Sequence, residues 1–202
     1  ERTLLQRLSI FAGGWVLEAA EAVGCCNGIE SCNVLDLLGQ LVNKSLVLVK
    51  EEAVLETRYR MLETIRQYAH EKLVESGESD DARDRHLMYY VELAERLEHY
   101  FHGPNQAGTS DRLESELDNV RLALGWSLGS KNNQDWRFEF GMRLASMLHL
   151  FWDFGAREAE GLGWLEQWLD REDEKPLEEQ LSSGRALQRA QTLYVAGNLA
   201  SI

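Results

Sequence analysis

Apolar positions near the start of the chain recur at helical spacing, switch to a short β-prone stretch, and then return to helical spacing. Leu4, Leu5, Leu8 and Phe11 predict a first amphipathic helix that stops at Gly13-Gly14. Leu17, Ala20 and Val23 predict a second helix over Val16 to Val23, with Gly24 at its C-terminal end. Asn33 is a good N-cap for a third helix carrying Val34, Leu37, Leu38, Leu41 and Val42 on one side. Leu46 to Val49 and Thr57 to Met61 then read as two strands joined by the charged run Lys50 to Glu56. Three short helices and a two-stranded wing make a winged-helix arrangement. A further helix is predicted from Glu63 to Glu75, ending at Ser76-Gly77.

Beyond residue 78 only helical periods occur. One stripe holds Leu87, Tyr90, Ala94, Leu97 and Phe101 and closes at the run His102 to Asn105. Another holds Leu113, Leu117, Val120, Leu124 and Leu128. A single helix is predicted from about Asp135 to Phe154, a partner follows with Leu162, Leu165, Trp168 and Leu169, and Leu187 to Leu199 begin another. Antiparallel helix pairs joined by short loops predict an α-solenoid.

Composition narrows the function classes. The 202 residues hold 34 acidic and 21 basic side chains, a net charge of -13, which disfavours nucleic acid and anionic membrane unless a basic patch intervenes. No apolar run approaches the ~20 residues needed to cross a bilayer. Cys25, Cys26 and Cys32 are odd in number and two are adjacent, which argues against a disulfide framework and for a reducing cytoplasm. The chain opens without Met and stops inside an apolar pattern, so it reads as a piece of a larger protein.

Several groups of residues, taken in order, carry a family resemblance. They are Phe11 to Trp15 with Leu17 to Ala20, Leu35 to Leu38, Leu41 to Val47 and Tyr59 to Ala69. Asp118 to Leu124 with Trp126, and Glu160-Gly161 with Trp164-Leu165, complete the set. Over residues 1 to 170 the chain resembles the bacterial STAND-type signal-transduction ATPases of the LuxR-like and AfsR-like regulators, which are similar to the NB-ARC switches. The resemblance implies a winged-helix domain at 1–78. It also implies a helical linker and truncated N-terminal TPR-like repeats at 79–202. The fold class is thus mainly α, a winged helix with a short β-hairpin followed by TPR-like helix pairs.

In that family a nucleotide-binding module precedes the winged helix. The Gly-Lys of a phosphate-binding loop is absent here, so the chain is read as a non-enzyme without a cofactor of its own, and ATP/ADP is implied only for the full-length protein. The implied partners are that intramolecular module and an unknown inducer or protein bound by the helices.

Four sets of residues are candidates for chemistry. The third helix offers Asp36, Gly39, Gln40, Asn43 and Lys44 outward, whose charges cancel. Arg58 and Arg60 in the wing are better placed for DNA but are surrounded by Glu51, Glu52 and Glu56. A packing role is therefore preferred to DNA contact. The alternatives are a DNA-binding factor with a helical dimerisation arm and a standalone helical scaffold.

The resemblance aligns Arg60-Met61-Leu62-Glu63 with a motif whose His approaches bound ADP. Leu62 replaces that His, which leaves Glu63 a structural role at a helix start or a switch role. Eight aromatics concentrate between Trp136 and Trp168; they fill a helical core, or Trp152 or Trp164 lines a groove for a partner. His99 and His102, with Glu95 and Glu98 near, make an incomplete metal set and are read as a polar face, and the acidic run around Pro176 as a solvated loop.

Overall fold

A computed structural model describes residues 1–26, 28–50, 57–98, 100, 106–129, 135–154, 157–173 and 183–200. It is mainly helical, with one small antiparallel sheet. Two compact units emerge: residues 1–89 with 115–122, and residues 90–114 with 123–202. The first unit thus takes in residues on both sides of the 78/79 boundary drawn from the sequence.

The first unit holds α1 (Arg2–Leu8), β1 (Trp15–Val16), α2 (Leu17–Gly24), α3 (Ser31–Asn43), β2 (Leu48–Lys50), β3 (Arg58–Arg60) and α4 (Glu63–Ser76). It also takes the N-terminal part of α5 (Ser79–Glu98) and a central stretch of α6 (Gln106–Leu128). Helix α1 packs on α2, α3 and α4, and the predicted stripes are the buried ones: Leu4, Leu8, Ala20, Val23, Val34, Leu38 and Leu41. The wing is a sheet of three strands rather than two. Strand β3 lies in the middle, pairing Tyr59 with Trp15 and with Val49. Two-residue β1 has too few positions to show a period, so the pattern assigned Val16 to the following helix.

Helix α3 starts at Ser31, two residues before the expected cap, so Asn33 lies inside the helix. Helix α4 runs from Glu63 to Ser76 and stops at Gly77 as the pattern predicts.

A buried arginine ties this unit together. Arg7, fully inaccessible, donates to the carbonyls of Gly24 and Cys26, each at 2.9 Å, and to Glu78 at 3.0 Å. Arg85 donates to the Val23 carbonyl at 3.0 Å. Helix α2 has no basic residue in its own last turn, so Arg7 and Arg85 supply the charge that its carbonyl end attracts.

The second unit holds the remainder of α5 and α6, with α7 (Asp135–Met147), α8 (His149–Phe154), α9 (Glu158–Asp173) and α10 (Ser183–Leu199). Helices α7, α8 and α10 all pack on α9, and α10 also packs on α7 and α8. The single helix expected over 135–154 is broken by a turn at Leu148. Ser146 Oγ donates to the Met142 carbonyl at 2.9 Å, and His149 Nδ1 donates to the Ser146 carbonyl at 3.0 Å. Both bonds lie at the turn, across which the Leu148 amide still reaches the Leu144 carbonyl at 3.3 Å. At the end of α6, Arg171 of α9 donates to the Leu128 carbonyl, where α6 has no basic residue of its own.

Candidate functional site

The segment Phe11 to Trp15 links α1 to the sheet and forms one wall of a cleft of about 350 Å³. Arg60, Met61, Glu63, Arg66 and Leu122 form the rest. Gly14 has φ +118°, and a Cβ there would lie 2.7 Å from the Tyr59 carbonyl oxygen, so the close approach of this segment to β3 requires glycine.

Asn119 of α6 clamps the same segment. Its Oδ1 accepts from the Ala12 amide at 2.8 Å, and its Nδ2 donates to the Gly14 carbonyl at 2.8 Å and to Glu116 Oε2 at 2.9 Å. Glu116 is also the partner of Arg58, which in addition donates to Ser115 Oγ and to the Ser115 carbonyl. Both members of this ion pair are buried. The Arg58 guanidinium is thus engaged inside the unit on Glu116 and Ser115. Arg60, two residues on, is exposed. Next to the clamp, the His86 ring packs on Phe11 with centroids 5.1 Å apart. Burial pushes the His86 imidazole down to about 3, against the opposing pull of a hydrogen bond with Asn119.

Glu63 opens α4, where a carboxylate complements the helix dipole. Arg66 grips it with two bonds of 2.8 Å, Gln67 adds one of 2.9 Å, and Arg66 reaches back to the Ser9 carbonyl at 3.3 Å. Hydrogen bonds from Arg66 and then Gln67 hold the Glu63 carboxyl well below the usual range, at about 2. Leu62 is half exposed and brings no polar atom to the junction. Leu62 brings no donor to this junction and Glu63 an ionised carboxylate, while Arg60 and Arg66 line the same cleft.

The outward positions of α3 are those the period indicated: Asp36, Gly39, Gln40, Asn43 and Lys44 are all exposed, together with Leu35. Lys44, the one cation among them, pairs with Glu1. The wing residues Glu51, Glu52 and Glu56 lie outside the described residues, as do His99, His102 and most of the acidic run around Pro176. Among the described residues no group of three or more His, Cys, Asp or Glu is arranged to hold a metal ion, and no helix is long and apolar enough to cross a membrane.

Trp152 is fully buried in the second unit, seated against Gly161, so it is a core side chain and not the wall of a groove. Trp164 is half-buried, its ring centroid 5.9 Å from that of buried Trp168. Of the two tryptophans singled out by the sequence, only Trp164 has surface to offer. Sequence reasoning did not assign roles to Asn119, Glu116 and His86. The only signal was the position of Asn119 within the Asp118 to Leu124 segment.

Residues 1–74 match the model of a family described as a winged helix-turn-helix domain. A Mycobacterium tuberculosis protein named "Putative HTH-type transcriptional regulator" is 39% identical over 170 residues, 84% of this chain, and a Mycobacterium bovis protein of the same description matches equally. An uncharacterised M. tuberculosis protein is 44% identical over 90 residues, which cover 44% of this chain and 23% of that protein. The chain spans only 18% of the length of the two regulators. No solved structure matches. Residues 1–74 thus form a winged helix-turn-helix domain, and the chain is homologous to one part of these much longer regulators.

Proposed function

We propose that this chain is a non-catalytic regulatory segment of a STAND-type transcriptional regulator, in which the winged helix serves as a packing module rather than as the DNA reader. The observation that carries this reading is the outward face of α3. It holds a single cation, Lys44, against Asp36, so it lacks the cluster of cations that phosphate contacts need. Burial of Arg58 against Glu116 removes a cation from the wing.

In this reading the winged helix stabilises the closed, ADP-bound state of a nucleotide-binding module that lies outside this chain, without a phosphate contact from the Leu62–Glu63 junction. The helices beyond it are TPR-like repeats that bind an inducer or a protein partner. Such binding favours an open state only through differential affinity for the two states.

The printed names of the relatives and the helix-turn-helix match favour a second reading, DNA binding by the winged helix itself. A mobility-shift titration of this chain at low salt separates the two. The expected result is no sequence-selective complex; tight, selective retention of one duplex over others would replace the packing reading with the DNA-binding one.

A further inference from the structure

The eight basic residues among the first 78 are unevenly placed. Arg7 and Arg58 are buried in ion pairs, and Arg66 is held by Glu63. Three others, Arg2, Lys44 and Lys72, converge on a groove of about 530 Å³ between α1, the C-terminal end of α3 and α4. Its remaining lining includes Leu5, Leu41, Leu46 and Ala69, an apolar floor, with Tyr68 59% exposed as a wall. Lys72 lies 5.9 Å from the centre of the Tyr68 ring, which fixes that wall beside a charge.

We infer that this groove is a docking site for an acidic amphipathic segment of a partner protein. Charge is the first argument. In a chain of net charge -13, the groove lining carries three cations against one anion, Glu1. The pairs Lys44–Glu1 and Lys72–Glu75 sit at the surface, where such pairs are worth little and are readily exchanged for a partner's carboxylates. Arg2 is exposed and has a planar fork suited to a carboxylate.

The apolar floor is the second argument. Half-buried Leu5 and Leu46 beside exposed Tyr68 offer a seat for one or two apolar anchors, which a chain of phosphates would leave unused. Acidic residues flanking apolar anchors match both features at once. This inference goes beyond the packing reading and does not depend on whether the outward face of α3 meets DNA.

The test is fluorescence anisotropy of the 202-residue chain with a short labelled synthetic peptide that places Leu on one helical face and Glu on the other. Saturable binding that weakens with salt is expected. It should fall about tenfold in an Arg2→Glu/Lys72→Glu variant and in Tyr68→Ser, with far-UV circular dichroism unchanged. Failure of the peptide to saturate overturns the inference. So does equal binding of a scrambled peptide of the same composition or of its Glu→Gln counterpart. Displacement of the peptide by random duplex DNA would instead mark the groove as a nucleic-acid surface. A selective duplex that binds without displacing the peptide would overturn the packing reading alone.

Discussion

At the residue scale, the best-supported contact is the Asn119 clamp, because one fully buried side chain satisfies two backbone groups and orients a buried ion pair. Truncation would leave the Ala12 amide and the Gly14 carbonyl without their partner and remove a donor from Glu116. Asn119→Ala should therefore destabilise the first unit by about 2–4 kcal/mol, read as a lower midpoint in urea unfolding at unchanged slope. A loss below about 1 kcal/mol would show that water replaces the clamp. The sequence displayed Asn119 only as one letter in a family-like segment. Its role depends on a partner more than a hundred residues away, which no local pattern encodes. Arg58 teaches the same lesson in reverse: alternation placed it on a wing, but burial beside Glu116 decided what its charge does.

At the element scale, the helices were legible because each one's buried stripe follows the 3.6-residue period. Helix α4 begins and ends where Glu63 and Gly77 indicate. What escaped were strand β1, which is shorter than a period, the start of α3, and the turn at Leu148. Packing between α8 and α9 also depends on contact rather than on pattern. A Cβ at Gly161 would lie 2.5 Å from the Trp152 ring, so these helices approach only because Gly161 has no side chain. Gly161→Ala should cost about 1–3 kcal/mol and red-shift tryptophan emission as Trp152 is displaced toward water. Unaltered emission and stability would mean that the helices shift at no cost.

At the scale of the whole molecule, acid sensitivity follows from two groups whose protonation is suppressed by folding. His86 titrates near 3 when folded and near 6.5 when unfolded, so the unfolded chain binds the proton first as pH falls. Its contribution is complete above about pH 6.5 and is lost progressively toward pH 3. Glu63, held at about 2, acts in the same direction over a lower window: its favourable contacts persist above about 4.5 and fade as pH approaches 2. Urea unfolding between pH 7 and 4 should show falling stability, with a clearly shallower slope in His86→Gln. Equal slopes in the two proteins would remove His86 as the cause.

The -13 charge is fixed by composition, and the helical periods and the helix–hairpin order of residues 1–78, strand β1 apart, were legible because they depend on neighbours a few residues apart. Tertiary structure alone decided which charges are available. It buried Arg7 and Arg58, put Trp152 in the core, and brought Arg2, Lys44 and Lys72 to one groove. The physical reason is that desolvation and pairing set what a charged or aromatic side chain can do, and both are properties of the space around it rather than of the chain beside it.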